Sequence, residues 1–593
     1  MTGCRSRPRL PALALALLLA GSSSSMVCAQ VGPPVQLVPR EPAPEATPLP
    51  PPSGAAPGAA QPAPTPVPGK PPVLEVEPGG IQVGKLGAVD PSTAGTLDEG
   101  NGGLPSSLWQ GTPAGLVDTL LPKLAASTSP ALQSLARRLL LSTAAVPPGG
   151  TPDSPNLLAL RVQALDRLGL VDDAGKLAQA APSQLADPSF ILASRDAFWL
   201  SGNTKAACGR LNQQADAARD QAWAKASAFC HALVGEHEAA SISAELMREQ
   251  NVNDVHFFAL FGVVNGESDI KLASLPDPPP LLLAMLGASN KPVPADVLKG
   301  APPATFAAVA VMGNAAPSLR VAAAERAAAF GGVTPAGLGK IYLEQSFPPE
   351  ALAKAPTAAK TNKDGLGNAL MYQAVQAEKV PAAEAEAIAA AFALARGAAV
   401  PTPLWLERAY GPALFRVTPG PGVVWFASDA THAYLAAADL TNARAWASLG
   451  DTDRVLPAPG QPAPGALLGR LMALADKDAA PVDAPTLAAW YRAAEAVDGP
   501  ECDARAALLY SLLDALGQPV PAERWQAIAG GAAAITATVP SPIVMRGLAA
   551  AAAAGRLGET VLYALLAFGE GGPATADATT LVEVVAALKK VGL

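Results

Sequence analysis

Gly339-Lys340 is the part of the chain closest to a phosphate-binding loop, but two required residues are missing. Such a loop needs glycine, four residues and then Gly-Lys-Ser/Thr, because the glycines let backbone amides surround the phosphates. Here Thr334 stands in place of the first glycine and Ile341 in place of the hydroxyl residue. The chain also contains no Gly-x-Ser-x-Gly sequence, which presents the nucleophile in many hydrolases. Neither phosphoryl transfer nor serine-based hydrolysis is therefore predicted.

The histidines do not form a recognisable metal site. They are His231, His237, His256 and His432. A zincin helix carries two histidines four residues apart with a glutamate between them. His237-Glu238 begins such a pattern, but Ser241 stands where the second histidine should be. The only histidine with a cysteine close by is the one adjacent to Cys230. We therefore predict structural roles for the histidines, and no metal ion or other cofactor.

One family of exported enzymes on helical scaffolds, the soluble lytic transglycosylases, carries a Glu-Ser pair followed closely by a Gly-Leu-Met-Gln stretch. The nearest stretch in this chain runs from Ala369 to Gln373, and the pair Glu267-Ser268 lies 102 residues before it (369 − 267). That separation is too long for one motif. The sequence therefore predicts no active site, and a cell-wall-associated enzyme of unrecognised type is kept as the alternative.

Aromatic residues are concentrated in one part of a chain that is otherwise poor in them. The concentration comprises Trp405, Tyr410, Phe415, Trp425, Phe426, Tyr434 and Trp446. Exposed aromatic rings anchor protein interfaces and stack on sugars. Trp405, Tyr410, Trp425, Phe426 and Trp446 are therefore candidate binding residues. The alternative, which we favour, is that these rings fill the core at an irregular junction.

The composition favours helices. Half of the chain is apolar, yet aromatic residues make up only 5%, so the apolar content is mostly alanine, leucine and valine. Alanine and leucine have the highest helix propensities. The formal charge of −8 gives no basic face for a polyanion, so nucleic-acid binding is not expected. The prediction is an all-α protein.

The N-terminus has the order of a secretory signal peptide. Three arginines before residue 10 precede an apolar run from Leu10 to Ala20, a short polar stretch and the small residue Ala29. This order predicts cleavage before Gln30 and a location in the periplasm or outside the cell. The apolar run is too short to span a bilayer permanently. The alternative is an apolar N-terminus without an export function.

Cys28 raises the question of a lipid anchor. A lipoprotein signal has leucine three residues before the cysteine and glycine or alanine directly before it, whereas this chain has Ser25 and Val27 there. Lipidation is therefore the less favoured alternative, and membrane association is expected only if it occurs.

A Pro-rich segment follows the predicted cleavage site. Residues 30–106 are rich in Pro, Ala and Gly and contain few large apolar residues. Such a segment cannot form a core and is predicted to be a disordered tether. Helix-length apolar segments begin after it, at about residue 107.

A repeat of 33 residues is visible in the first helical part. Gly169, Gly202 and Gly235 are each 33 residues apart. A large apolar residue lies twelve positions before each glycine, a small residue five before and an alanine five after. These are Leu157, Phe190 and Trp223, then Ala164, Ala197 and Cys230, and then Ala174, Ala207 and Ala240. A weaker fourth unit surrounds Gly266. The pattern predicts helical hairpins in which small residues allow close packing and the glycine forms the turn.

This pattern resembles the tetratricopeptide repeat, a two-helix unit of about 34 residues. The resemblance covers about residues 157–272 and is degenerate, because the glycine that the family has in the first helix is replaced by Val162, Arg195 and Ala228. It implies that residues 107–290 form stacked helical hairpins in an α-α superhelix. Residues 291–593 are predicted to add further helical hairpins or a second helical lobe, with an irregular insert near 416–424.

The cysteines permit one disulfide in the predicted mature chain. Cleavage after Ala29 leaves Cys208, Cys230 and Cys502. With a turn near Asp220, the first two lie at matching heights on neighbouring antiparallel helices. Packed helices with small residues at the contact bring facing side chains within bridging range. An oxidising compartment would then favour a bond between Cys208 and Cys230. The alternative is two buried thiols in place of alanine.

These features together favour a binding scaffold. Superhelical repeat proteins offer long surfaces and commonly bind other proteins. The sequence predicts a non-catalytic, exported scaffold that binds a protein or peptide partner in the cell envelope.

Overall fold

The computed structural model describes residues 90–593, except 152–153, 183–184, 214–219, 270–271, 397–402, 451–473, 475–481, 499–501, 531–538 and 574. The predicted signal peptide, Cys28 and the tether up to residue 89 lie outside the described residues.

The described part of the chain is all-α, as predicted, and contains no strand. The first thirteen α-helices are α1 (Ala114–Leu120), α2 (Pro130–Leu141), α3 (Leu157–Arg167), α4 (Val171–Ala180), α5 (Pro188–Leu200), α6 (Thr204–Leu211), α7 (Gln221–Leu233), α8 (His237–Glu249), α9 (Val255–Val264), α10 (Pro280–Ala288), α11 (Pro303–Ala310), α12 (Pro317–Ala329) and α13 (Pro335–Leu343). The others are α14 (Pro349–Ala353), α15 (Ala355–Thr361), α16 (Gly367–Ala377), α17 (Pro381–Arg396), α18 (Leu404–Ala409), α19 (Gly411–Leu414), α20 (Ala427–Ala436), α21 (Leu440–Gly450), α22 (Ala484–Asp498), α23 (Cys502–Ala515), α24 (Ala522–Ala527), α25 (Pro542–Ala553), α26 (Leu557–Phe568) and α27 (Ala578–Lys590).

Short 3-10 helices complete the secondary structure of this part. They are Pro91–Thr93, Glu99–Asn101, Leu121–Lys123 and Pro421–Phe426. The last of them overlaps the irregular insert that the sequence placed near 416–424. Among the described residues, no helix combines the length and the apolar character that crossing a membrane requires.

Three helical hairpins have the predicted glycine at their turn. Gly169 joins α3 to α4, Gly202 joins α5 to α6, and Gly235 joins α7 to α8, with φ angles of 82°, 72° and 82°. This left-handed conformation favours glycine because a Cβ would meet the neighbouring carbonyl. The same arrangement recurs outside the predicted repeat, where Gly331 with a φ of 81° joins α12 to α13.

The first helices of the first two hairpins, α3 and α5, are buried on nearly all sides. Eight of the eleven residues of α3 and nine of the thirteen residues of α5 are buried. The reason is that α10 packs against α5 and α7, while α11 packs against α3, α4 and α5. The chain thus covers α3 and α5 with its own later helices.

Later helices return to the start of the fold. Helix α26 packs against α2, and the backbone N–H of Gly558 donates to the carbonyl of Leu108 at 2.9 Å. The side chain of Gln133 on α2 donates to the carbonyl of Ala329 at 2.8 Å. Helices on either side of the predicted boundary at residue 290 therefore pack directly on one another, and their order in space differs from a simple serial stack.

The fold begins earlier than the predicted end of the tether at residue 106. Residues 90–106 are held by Arg161, which is buried and donates hydrogen bonds to the carbonyls of Ser92 (3.2 Å) and Ala94 (2.7 Å). The same guanidinium donates to Leu140 (2.7 Å) and Ser142 (2.9 Å). The composition of 90–106 gave no indication of this attachment, because hydrogen bonds to backbone carbonyls make much of it and Leu104 is the one large apolar side chain of the segment that is fully buried.

A disulfide joins Cys208 on α6 to Cys230 on α7, with 5.8 Å between the Cα atoms. The turn between these helices includes Asp220, whose carboxylate caps α7 by accepting from the N–H of Trp223. Cys502 is buried on α23, and its thiol donates to the carbonyl of Tyr491.

Reduction of this disulfide is expected to lower the free energy of unfolding by about 3 kcal/mol, because the bond restricts a loop of about 22 residues in the unfolded chain. Denaturant unfolding with and without reductant measures the effect. The double variant Cys208→Ala with Cys230→Ala is the control, and reductant should not change its stability. A wild-type protein with fully reduced cysteines and an unchanged midpoint would contradict this expectation.

Candidate functional site

A cleft of about 210 Å³ lies between three separate parts of the chain. Its walls come from α2, from the segment that links α12 to α13, and from α18. The set of lining residues contains two arginines and an indole, and no carboxylate, histidine or cysteine. The lining residues are Pro130, Gln133, Ser134, Arg137, Ala328, Gly331, Val333, Thr334, Pro335, Trp405 and Arg408.

A hydrogen bond and a close contact fix the first two walls of the cleft, α2 and the segment between α12 and α13, relative to each other. The side-chain amide of Gln133 on α2 donates to the carbonyls of Ser127 and Ala329, each at 2.8 Å. Gly331 is required beside it, because its φ is positive and an added Cβ would lie 2.8 Å from Oε1 of Gln133. Helix α13 starts at the cleft, where the hydroxyl of Thr334 accepts from the N–H of Gly337 at 3.1 Å.

The two arginines of the cleft differ in their partners. Arg137 forms an ion pair with Asp173 of α4 at 2.6 Å, and the aspartate side chain is largely buried. Arg408 is partly buried and has no carboxylate within ion-pair distance among the described residues. Burial lowers the pKa of Arg408, and the nearby positive charge of Arg137 lowers it further. Arg408 therefore carries a charge that the described part of the fold does not neutralise.

This arrangement suits an anion. A guanidinium offers a planar set of donors that matches a carboxylate, and such charge-assisted bonds are about twice as strong as neutral ones. The N-terminus of α13 adds a favourable dipole. Trp405 supplies an aromatic surface on which an adjacent apolar or planar group can pack. The lining contains no pair of groups suited to general acid–base catalysis, so binding is the chemistry that it supports.

The five aromatic residues that were considered for binding differ in their exposure. Tyr410, Phe426 and Trp446 are fully buried, and Phe426 packs edge-on against Trp446 with ring centroids 5.7 Å apart. These three fill the core, as in the favoured alternative, and present no exposed ring to a partner. Trp425 is 52% exposed. Trp405 is the member of the set that lines the cleft.

The arginines of the cleft were missed by the sequence analysis. Arg137 and Arg408 lie on helices far apart in the chain, and no motif or spacing connects them. The concentration of aromatic residues was the one indication, because it included Trp405.

Two of the histidines take part in hydrogen bonds within the repeats. The ring Nδ1 of His231 lies 2.5 Å from the carboxylate of Glu236, and that of His237 donates to Asn265 at 2.9 Å. In the part of the chain that the structure describes, no three His, Cys, Asp or Glu side chains are arranged to hold a metal ion.

A second polar cluster surrounds Glu325 on α12. Its carboxylate accepts from the hydroxyl of Tyr342 at 2.8 Å and from the side-chain amide of Asn368 at 3.0 Å. Tyr342 packs on Tyr372, which in turn packs on Tyr410. Burial raises the pKa of Glu325, although the two hydrogen bonds oppose this effect.

The variant Glu325→Gln is expected to be more stable than the wild type near neutral pH. Because the pKa of Glu325 is raised by folding, its contribution to stability is full below the unfolded-state pKa and is lost as the pH rises through the folded-state pKa. Glutamine keeps the two accepted hydrogen bonds without the buried charge. Unfolding midpoints measured from about pH 4 to 8 should show that the stability of Glu325→Gln relative to the wild type increases with pH. The exposed control Glu583→Gln should show no such trend, and a Glu325→Gln protein less stable than the wild type at neutral pH would contradict the expectation.

Comparison with models of protein families, with curated proteins and with solved structures finds no match to this chain.

Proposed function

We propose that this protein is a non-catalytic, exported scaffold that binds an acidic segment of a protein or peptide partner in the cell envelope. One observation carries the proposal: Arg408 lies in a cleft beside Arg137 and Trp405, and no described carboxylate pairs with it. A partly buried charge without a counterion costs free energy. A carboxylate from a partner would neutralise that charge and recover this cost.

The geometry supports a carboxylate on a peptide. Asp173 keeps Arg137 in place through a partly buried ion pair. The guanidinium of Arg137 is therefore already paired, whereas that of Arg408 can bind a carboxylate of the ligand. An aspartate or glutamate of the partner would bind Arg408, and the residue next to it would pack on Trp405. The cleft volume of about 210 Å³ accommodates one or two side chains and not a large cofactor.

Two features support export. The N-terminus has the charged, apolar and small-residue order of a signal peptide. The Cys208–Cys230 pair has the geometry of a disulfide, and such bonds persist in oxidising compartments such as the periplasm. N-terminal sequencing of the protein isolated from the cell envelope is expected to begin at Gln30. A chain that still began at Met1 would contradict export with cleavage.

Binding of acidic peptides tests the function of the cleft. We expect the full chain to bind capped peptides rich in aspartate and glutamate in calorimetry, and not their asparagine and glutamine counterparts. Arg408→Gln should weaken binding by about tenfold or more, since bonds to charged groups contribute about 1.5–3 kcal/mol each. Trp405→Leu should weaken binding less, because leucine retains part of the apolar contact.

Lys340→Gln is the matched control. This exposed lysine lies on α13, near the cleft but outside its lining, and the variant removes the same charge. If it weakens binding as much as Arg408→Gln, the attraction comes from the general field and not from the cleft. Equal binding of acidic and amide peptides would also overturn the proposal.

A further inference from the structure

The outer face of α8 carries large apolar residues that no other described part of the fold covers. Helix α8 packs closely on α7 through Ala240, Ala244 and Met247, which are buried. On the opposite side Ile242 is 67% exposed and Leu246 is 52% exposed. Residues four apart share one face of a helix, so these two side chains form a continuous apolar stripe.

Acidic residues border this stripe on the same helix. Glu238, Glu245 and Glu249 are all exposed. They lie four residues before Ile242, three after it and seven after it, which places them along the same side of α8. The distance from the first to the last glutamate is about 17 Å along the helix axis. We call this surface, from Glu238 to Glu249, the acidic stripe.

An open pocket of about 420 Å³ adjoins the start of the acidic stripe. It is lined by His237, Glu238, Ser241, Ile242, Asn265 and Glu267. Asn265, which is buried, accepts from the ring of His237 at 2.9 Å and donates to Oε1 of Glu267 at 2.6 Å. The hydroxyl of Ser241 also donates to that oxygen. The carboxylate of Glu267 is therefore held in place by hydrogen bonds in a pocket that Glu238 also lines.

We infer that the acidic stripe docks a basic amphipathic helix of a partner protein. Ile242 and Leu246 contact the apolar side of that helix, and the glutamates pair with its lysines or arginines. One of these cationic side chains enters the pocket and binds between Glu238 and Glu267. This surface is separate from the arginine cleft and takes a ligand of opposite charge, so the inference does not depend on the proposed function.

Charge favours a basic helix over a second copy of this chain or an anionic lipid surface as the ligand of the acidic stripe. A second copy of the chain would bring the same glutamates face to face, and like charges at close range are unfavourable. An anionic lipid surface would be repelled for the same reason. A helix with spaced cationic and apolar residues can contact Ile242 and Leu246 with its apolar side, and can place cationic side chains beside the three glutamates and in the pocket.

Peptide binding to the full chain tests the inference. The probe is a synthetic helical peptide with leucines on one face and lysines on the other, and its counterpart has glutamine in place of every lysine, so that it carries no charge for either surface. We expect fluorescence anisotropy to show binding of the lysine peptide only. The double variant Ile242→Ser with Leu246→Ser should weaken it by about tenfold or more. Since both side chains are exposed, the variant should keep the wild-type circular dichroism and unfolding midpoint.

Two triple variants distinguish the effect of the acidic stripe on binding from the effect of the net charge of −8 of the whole chain. Replacing Glu238, Glu245 and Glu249 by glutamine should weaken binding by about tenfold and flatten its dependence on salt. The control replaces three exposed glutamates elsewhere, Glu350, Glu523 and Glu583. It removes the same charge and should change affinity less than about twofold. Equal losses in the two triple variants, or equal binding of the glutamine peptide, would overturn the inference.

Discussion

Replacing Arg161 by methionine is expected to lower the free energy of unfolding by about 3–5 kcal/mol. The side chain is fully buried and donates four hydrogen bonds to backbone carbonyls in two separate segments, 92–94 and 140–142. Burial lowers the pKa of its guanidinium to about 10, so the group remains charged at neutral pH. Methionine fills much of the volume but leaves these carbonyls without donors, and each unsatisfied group costs about 1–3 kcal/mol.

Arg167→Met provides the control on the same helix. Arg167 is exposed and donates one hydrogen bond, to the carbonyl of Leu121 at 3.2 Å. Denaturant unfolding should show a loss below about 1 kcal/mol for this variant. Hydrogen exchange should also show faster exchange in residues 90–104 of the Arg161→Met variant alone. Comparable losses in both variants would contradict the anchoring role of Arg161.

Gly332→Ala is expected to destabilise the fold by about 2–3 kcal/mol, because the methyl group has no room. A Cβ on Gly332 would lie 2.3 Å from the carbonyl oxygen of Gly169 and 3.3 Å from the side chain of Ala307. The first of these atoms belongs to the backbone, so it cannot rotate away. The clash would separate the turn between α12 and α13 from the turn between α3 and α4.

Gly313→Ala is the matched control, because this glycine also lies between helices and nothing is within 4 Å of its added Cβ. We expect it to change the free energy of unfolding by less than about 0.5 kcal/mol. A third variant, Gly202→Ala, isolates the backbone strain of a positive φ without a clash and should cost about 1–2 kcal/mol. Similar stability of the Gly332 and Gly313 variants would contradict the close contact of the two turns.

The sequence by itself determined the local structure. The helix-favouring composition predicted an all-α chain, and the 33-residue spacing predicted three hairpins with glycine at each turn. The same spacing placed Cys208 and Cys230 at matching heights. These features depend on residues within about one repeat of each other, and helix periodicity and turn conformation are encoded at that range.

The tertiary structure decided which surfaces remain open. The apolar character of α10 and α11 is visible in the sequence, but it does not specify that they pack across α3 and α5. The proximity of Arg137 and Arg408 in the cleft also depends on contacts between helices that are distant in the sequence. Apolar burial is not directional, so the pattern along the chain shows which faces are buried and not which partners cover them. The attachment of residues 90–106 was missed for a related reason, because it depends largely on hydrogen bonds to backbone carbonyls, which every sequence contains.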